Sequence, residues 1–200
     1  MSSANAQLLK AAASGSVDEI ARALSAGADV ETRDSSQRTP LLLASLGDHV
    51  GAAKALVAAG ADPNAQDTIL QSAWLVTGVT GSVPMLEVLL TANPKPDLTL
   101  RNRYGGVSVI PASERGHVDY VRRVVTTGIN VNHVNNLGWT ALLEAVILGD
   151  GSDKYAQIVR ILLEAGAKTS IGDNDGVTAL QHARTKGQGR IVEILEQAEA

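Results

Sequence analysis

Two glutamates, Glu114 and Glu144, are the carboxylate pair in this chain whose spacing could support chemistry. They occupy positions thirteen and ten of neighbouring units in the repeat described below. Stacked helices lie about 8–10 Å apart, so both acids could face one groove. Carboxylates at such a separation can carry out acid–base catalysis. The simpler interpretation is two solvated surface acids, one of them paired with Arg115.

Other motifs with chemical potential are incomplete. Asp173-Asn174-Asp175-Gly176 begins like a calcium loop but lacks the third acid and the distal glutamate. Lys186-Gly187-Gln188-Gly189-Arg190 is glycine-rich and basic without the spacing of a phosphate-binding loop. The chain has no cysteine and four dispersed histidines. We therefore predict no catalytic residue, no metal site and no cofactor.

A recurring segment reveals how the chain is organised. The tails Gly27-Ala28-Asp29-Val30, Gly60-Ala61-Asp62-Pro63, Gly128-Ile129-Asn130-Val131 and Gly166-Ala167-Lys168-Thr169 are separated by 33, 68 and 38 residues. The middle interval is two units of about 34 residues, and a period in this range is typical of stacked-repeat proteins. Each unit in such an array contacts only its neighbours. We therefore predict a single domain over residues 1–200, divided into units 4–33, 34–66, 67–101, 102–134, 135–172 and 173–200.

Each internal unit begins with turn chemistry and continues as two short helices. An Asp or Asn opens the unit, and in most units a glycine follows three residues later, as a tight turn requires. Thr39, Thr140 and Thr178 can then cap the first helix. Apolar residues at helical spacing mark both helices, and Gly60, Gly128 and Gly166 supply the left-handed residue that ends the second.

These residues together resemble the ankyrin repeat. The family pattern Asp-x-x-Gly-x-Thr-Pro-Leu-His-x-Ala is followed closely from Asp34 to Asn64, and again at Gly138 to Gly149 and Asp175 to Ala183. The run from Arg101 to Asp150 is similar to bacterial members of the family. The resemblance covers about the whole chain. It implies an all-α solenoid of stacked helix-turn-helix units with projecting β-turns.

Three departures from the family pattern predict local irregularity. The histidine of the Thr-Pro-Leu-His tetrad is replaced in every unit, so the turns must be linked by other groups. Extra residues lie near Pro94 and at 150–154, and we expect both insertions to form excursions outside the stack. Trp74 occupies a position held elsewhere by leucine or valine, so we predict that it is buried between the second, third and fourth units.

Composition limits the other possibilities. The net charge is −4 with acids and bases interspersed, which argues against a nucleic-acid partner. The longest apolar stretch, 73–90, is interrupted by glycines, Pro84 and Glu87 and is expected to span two helices rather than a membrane. The N-terminal sequence has no apolar segment of the kind found in secretory signals. We predict a monomeric cytoplasmic protein.

The resemblance implies that a partner binds the turn tips and the concave face of the inner helices. Translated by position, the turn tips contribute Ser36, Arg38, Ile69, Gln71, Arg103, Tyr104, Leu137 and Trp139, and the inner helices contribute Leu46, Val79, Glu114, Arg115, Glu144, Ile147 and Leu148. Trp, Tyr and Arg dominate interface energetics, so this content favours binding. Ile147 and Leu148 cannot share one helical face, so at least one should be exposed. For any single residue, local packing is an equally good explanation.

The resulting prediction is a non-catalytic scaffold that binds a protein partner. The alternative is a small molecule or an anion bound in the groove near Glu114, Arg115 and Glu144. An enzyme built on that groove is the third and most remote interpretation.

Overall fold

The computed structural model describes residues 2–200, and their regular structure is entirely helical. The helices are α1 (Ser3–Ser14), α2 (Val17–Ser25), α3 (Pro40–Leu46), α4 (Val50–Ala58), α5 (Ala73–Thr80), α6 (Val83–Leu90), α7 (Val109–Arg115), α8 (Val118–Val124), α9 (Ala141–Ile147), α10 (Asp153–Glu164), α11 (Ala179–Thr185) and α12 (Gly189–Glu199), with one 3-10 turn (Val125–Thr127) after α8. No strand occurs within residues 2–200. The predicted all-α class is therefore confirmed.

Contacts divide the chain into two compact units, Met1–Arg103 and Tyr104–Ala200, called here the N-unit and the C-unit. In the N-unit, α1, α3 and α5 pack in succession, as do α2, α4 and α6, and each helix also packs against its partner in the same repeat. The C-unit repeats this arrangement, with α7, α9 and α11 in one layer and α8, α10 and α12 in the other. Helices of seven to twelve residues are marginal alone and gain their stability from these layers. The single domain over residues 1–200 stays a prediction.

Caps at both ends of the repeats follow the sequence pattern. The hydroxyls of Thr39 and Thr140 accept hydrogen bonds from the Leu42 and Leu143 amides, at 3.1 and 3.2 Å. Thr178 forms a full capping box with Gln181. At the other end, Gly128 has a φ of 89° and a Cβ there would meet open space, so its conformation, not crowding, explains the glycine. The predicted threonine caps and glycine terminators are confirmed.

Side chains other than the missing histidine join successive turns, as expected. In the N-unit, the Arg33 guanidinium donates to the Gln66 carbonyl oxygen at 2.8 Å. In the C-unit, Asn132 bridges to the following repeat: its Oδ1 accepts from the Lys168 amide at 2.8 Å and its Nδ2 donates to the Gly166 carbonyl at 2.9 Å. Since each bond spans about one repeat in sequence, this ladder satisfies backbone groups that the turns leave unpaired.

The two insertions behave differently. Residues 91–97, which include Pro94, form a loop after α6, so that excursion is confirmed. The prediction for 150–154 is wrong in part, because Asp153 and Lys154 are the first residues of α10 and only 150–152 lie in the loop. The insertion thus extends the helix at its N-terminus, where Asp153 is favoured by the helix dipole.

Trp74 is fully buried on α5, with 0% of its surface exposed, so its predicted burial is confirmed. Its indole Nε1 is also buried and has no hydrogen-bond partner. The apolar stretch 73–90 spans two short helices, α5 and α6, as expected. No helix within residues 2–200 is long and apolar enough to cross a membrane.

Replacing Trp74 by alanine should lower the free energy of unfolding by about 3–5 kcal/mol, because it removes a large side chain from a packed layer. Urea unfolding followed by circular dichroism measures the change. The matched control is Trp139→Ala, at a half-buried turn position, which should cost much less. Equal midpoints for the parent and Trp74→Ala would contradict the burial of this side chain.

Candidate functional site

Four of the turn tips are closed by the side chain of their first residue, which is Asp34, Asp67, Asn135 or Asp173. In the fifth repeat, Asn135 Oδ1 accepts hydrogen bonds from the amides of Leu137 and Trp139, both at 3.0 Å. The backbone of Asn135 pairs with the Trp139 carbonyl, and Gly138 occupies the left-handed position. This Asx-closed geometry holds the intervening side chains at the tip.

The C-unit presents aromatic and apolar side chains on neighbouring tips. The Asn136 amide donates to the Tyr104 carbonyl at 2.9 Å, which joins the tips of the fourth and fifth repeats. Tyr104 is 55% exposed, Leu137 and Leu148 are also exposed, and Trp139 is half-buried. We call these four residues the C-unit surface. Ile147 is half-buried while Leu148 is exposed, which confirms that at least one of the two remains accessible.

The N-unit carries a second apolar set, which we call the N-unit surface: Leu46, Ile69 and Leu70, all exposed. Leu70 was not among the predicted site residues. It occupies the fourth turn position with a φ of 59°, where the second repeat has Gln37 with a φ of 63° and the remaining internal repeats have Gly105, Gly138 and Gly176. The signal was present in the sequence, because a leucine stands where the pattern requires a residue that tolerates positive φ.

Most of the other predicted contact residues are half-buried rather than exposed. Arg38 is half-buried and its Nε pairs with Asp34 Oδ2 at 2.8 Å, within the turn itself. Ser36 is half-buried and its carbonyl accepts from the Thr68 amide. Gln71 and Val79 are half-buried, and Arg103 is exposed. The structure therefore places Ser36, Arg38 and Gln71 in the turn framework as well as at the tips.

The two glutamates, Glu114 and Glu144, are not both solvated surface acids. Glu114 is partly exposed and Arg115 pairs with it at 2.7 Å, as expected for surface groups. Glu144 is only 5% exposed, so the view of both acids as solvated is wrong for Glu144. Asn135 Nδ2 donates to Glu144 Oε1 at 2.8 Å. A side chain this buried offers a partner almost no contact area. Glu144 is therefore not the contact residue that was expected but a buried residue that holds the turn through Asn135.

Burial and charge alter the titration of this acid. Loss of solvent, followed by the nearby Glu114 charge, raises the pKa of Glu144 to about 7, against the opposing influence of the Asn135 hydrogen bond and Arg115. A perturbed pKa is typical of functional sites, although structural pairs produce it too. The side-chain hydrogen bond that Glu144 accepts comes from Asn135, at the base of the fifth turn.

The two incomplete motifs have structural roles. Lys186 Nζ donates to the carbonyl oxygens of Val146, Ile147 and Gly149, so its charge stabilises the C-terminal end of α9. Asp173 closes the sixth turn through the amides of Asp175 and Val177. Both motifs thus serve the repeat framework.

One groove lies in the N-unit. It has a volume of about 330 Å³ and is lined by Gln7, Lys10, Glu19, Arg22 and Ala23 on α1 and α2. Four of the five side chains are solvent-exposed, so the groove lacks a buried polar group that would orient a ligand. Within residues 2–200, no cluster of three or more His, Asp or Glu side chains has the arrangement of a metal site.

Short helix pairs stacked in layers, with Asx-closed turns at fixed intervals, define a helical repeat protein. Family models for ankyrin repeats match residues 73–170, 112–200 and 8–57. The chain belongs to the ankyrin-repeat family.

Individual relatives resemble the chain over nearly its full length. The putative ankyrin repeat protein YahD of Escherichia coli K12 is 40% identical over 191 residues, which are 95% of this chain and 94% of YahD. An ankyrin repeat domain from Acinetobacter baumannii AYE is 47% identical with a TM-score of 0.92, covering 96% of this chain and 97% of its own. The ankyrin repeat domain of Bcl-3 is 26% identical with a TM-score of 0.86, covering 97% and 86%. The expected ankyrin fold is confirmed.

Stability should depend on pH through Glu144. Because folding raises its pKa from an ordinary 4.5 to about 7, the stabilising contribution is complete below about pH 4.5 and is lost as the pH rises through about 7. The loss should reach about 3 kcal/mol. Glu144→Gln keeps the acceptor for Asn135 and cannot ionise, so the variant should be more stable than the parent at pH 8.

Urea unfolding of parent and variant at pH 5, 6, 7 and 8 measures this difference, and titrations elsewhere in the chain cancel in the comparison. Parallel curves across the range would show that Glu144 does not titrate with a raised pKa.

Proposed function

We propose that this protein is a non-catalytic scaffold that binds a protein partner through its turn tips and the ends of its inner helices. The ankyrin-repeat fold is generally a protein–protein interaction module. Support comes from Tyr104, Leu137 and Leu148, which are exposed in the C-unit, and from half-buried Trp139 at the fifth turn. Contiguous exposed apolar area usually marks a binding site. We place the protein in the cytoplasm as a monomer in its free state.

The observation that carries the proposal is the conformation of Leu70. Positive φ costs a residue with a Cβ about 1–2 kcal/mol, whereas glycine adopts it freely. Leu70 adds a second disadvantage, because this apolar residue is 47% exposed to water. A strained and exposed leucine improves neither folding nor solubility. Contact with a partner explains why this side chain stands at the tip.

Aromatic residues give the C-unit surface the composition of a hot spot. Trp139 is half-buried, so part of this residue remains accessible. Tyr104 lies on the adjoining tip and is exposed. Tyr and Trp present large contact areas with few rotatable bonds, so little entropy is lost on binding.

The structure gives no advantage to a small molecule or an anion near Glu114, Arg115 and Glu144. Arg115 is already paired with Glu114, and the second acid beside it repels an anion whenever it is ionised. Turnover would also require a nucleophile or an activated water that the acidic pair does not position. A protein partner is therefore preferred over both alternatives.

Replacing Trp139 by alanine should weaken partner binding by more than about 2 kcal/mol, on the order of thirtyfold, if it anchors the interface. The partner is first captured from a lysate of the native cell with the parent protein, with Trp139→Ala as the negative control. Titration calorimetry with the purified partner then gives the affinity of each variant. Thermal unfolding checks that Trp139→Ala remains folded.

A matched control is available on the opposite layer. Arg160→Ala on α10 removes an exposed side chain outside the C-unit surface and should leave affinity unchanged. Full affinity in the double variant Tyr104→Ala, Trp139→Ala would place the interface elsewhere.

Leu70→Gly should separate stability from binding. Removing the strain offsets the extra chain entropy of glycine, so the free energy of unfolding should stay level or rise by up to about 1 kcal/mol. Affinity for the same partner should fall about tenfold or more, since an exposed anchor is lost. A destabilised Leu70→Gly protein with unchanged affinity would show that the leucine supports the fold instead.

A further inference from the structure

The Asn135 side chain joins the buried carboxyl group of Glu144 to the turn that carries Leu137 and Trp139, two of the predicted binding residues. Asn135 donates from Nδ2 to Glu144 Oε1 at 2.8 Å. Its Oδ1 accepts from the amides of Leu137 and Trp139, both at 3.0 Å. Asn135 and Glu144 are both buried, so water does not readily replace either bond. A change at the carboxyl group therefore has a direct route to the turn.

The surroundings of Glu144 favour a change of charge in the physiological range. Its helix, α9, packs against α7, α10 and α11. The charged or titratable groups around α9 include Glu114 and Arg115 on α7, Tyr155 on α10, His182 on α11 and Lys186, whose Nζ donates to carbonyl oxygens at the C-terminal end of α9. Tyr155 donates to the Glu114 carbonyl, and His182 is paired with Asp173. The charged groups that act on the Glu144 carboxyl are Glu114 and Arg115, and Arg115 is paired with Glu114. Ionised Glu144 thus lacks a cation of its own.

We propose that the protonation state of Glu144 is coupled, through the Asn135 side chain, to the turn that presents Leu137 and Trp139. A neutral carboxyl accepts the Asn135 bond as an ordinary carbonyl. An ionised carboxylate draws the amide more strongly, because hydrogen bonds to charged acceptors are shorter and stronger. It is also repelled by Glu114. Either effect shifts Asn135, and its other end holds the turn.

The bond between the first turn residue and the residue nine positions later occurs in some repeats and not in others. Asp34 and Asp67 close their turns in the same way, but the residues nine positions later are Leu43 and Val76, which cannot bond to them. In the sixth repeat, Asp173 Oδ2 bonds His182 at 2.7 Å, again across nine positions. The chain therefore contains turns with the link and turns without it, and the latter serve as internal controls.

The consequence for recognition rests on the proposed binding function. Leu137 and Trp139 belong to the C-unit surface, so partner affinity at that surface would vary between about pH 6 and 8 as Glu144 ionises. The coupling itself is a property of the free protein. Its test does not require a partner, and its failure would leave the proposed binding function unaffected.

Nuclear magnetic resonance of the full chain, titrated from pH 5.5 to 8.5, tests the coupling. Carbon-13 detection follows the Glu144 carboxyl, and nitrogen-15 detection follows the amides of Leu137 and Trp139 and the side-chain amide of Asn135. All four should titrate with one midpoint near pH 7. The amides of Ser36 and Arg38, held in the same way by Asp34, should stay constant, because hydrogen bonds from the turn hold the pKa of Asp34 below its usual range.

Two variants identify the group responsible. Glu144→Gln should abolish the titration of the Leu137 and Trp139 amides, and Glu114→Gln should lower its midpoint by removing the neighbouring negative charge. Amide shifts that persist unchanged in Glu144→Gln would assign them to another group and overturn the proposal. So would a Glu144 carboxyl that titrates in the parent protein while both amides remain constant, an outcome that requires no variant to fold.

Discussion

Four turn tips depend on one hydrogen-bond arrangement, in which the side-chain oxygen of the first residue accepts hydrogen bonds from the amides two and four positions later. Asp34, Asp67, Asn135 and Asp173 all bind their turns in this way. The arrangement satisfies two backbone donors and fixes the tip. It also positions each first helix, because the cap follows directly after the turn. These two hydrogen bonds fix the backbone of the turn and so set the positions of the side chains at its tip.

The same first residue has a second polar atom, and the repeats use it differently. Asp34 pairs with Arg38 inside its own turn, whereas Asn135 reaches Glu144 and Asp173 reaches His182 on the following helix. Because the last two bonds cross into a helix layer, they tie a titratable group to the tip. The proposed coupling between Glu144 and the fifth turn depends on the bond from Asn135. The apolar helix layers create an environment of low polarity around Glu144, in which the charge of a single carboxyl group has a larger electrostatic effect than it would have in water.

Prediction succeeded where local chemistry decides structure. Threonine caps, glycine terminators and the paired helices follow from residues a few positions apart, so the helical class and the repeat turns were correctly expected. The burial of Trp74 followed from its equivalence to leucines in other repeats. The second insertion was partly wrong, because whether added residues form a loop or extend a helix depends on their packing. Leu70 was missed, since its importance lies in a backbone angle at a position usually held by glycine.

The sequence by itself determined the repeat period, the threonine caps, the glycine terminators and the turn chemistry, because each of these depends on interactions within about one repeat. It also located Glu114 and Glu144 on neighbouring units. Only the tertiary structure decided that one of them is buried, since burial results from the stacking of α7, α9 and α11. The route from Glu144 through Asn135 to Trp139 was equally out of reach. Side-chain orientation between a turn and a packed helix is set by contacts that repeat spacing does not specify.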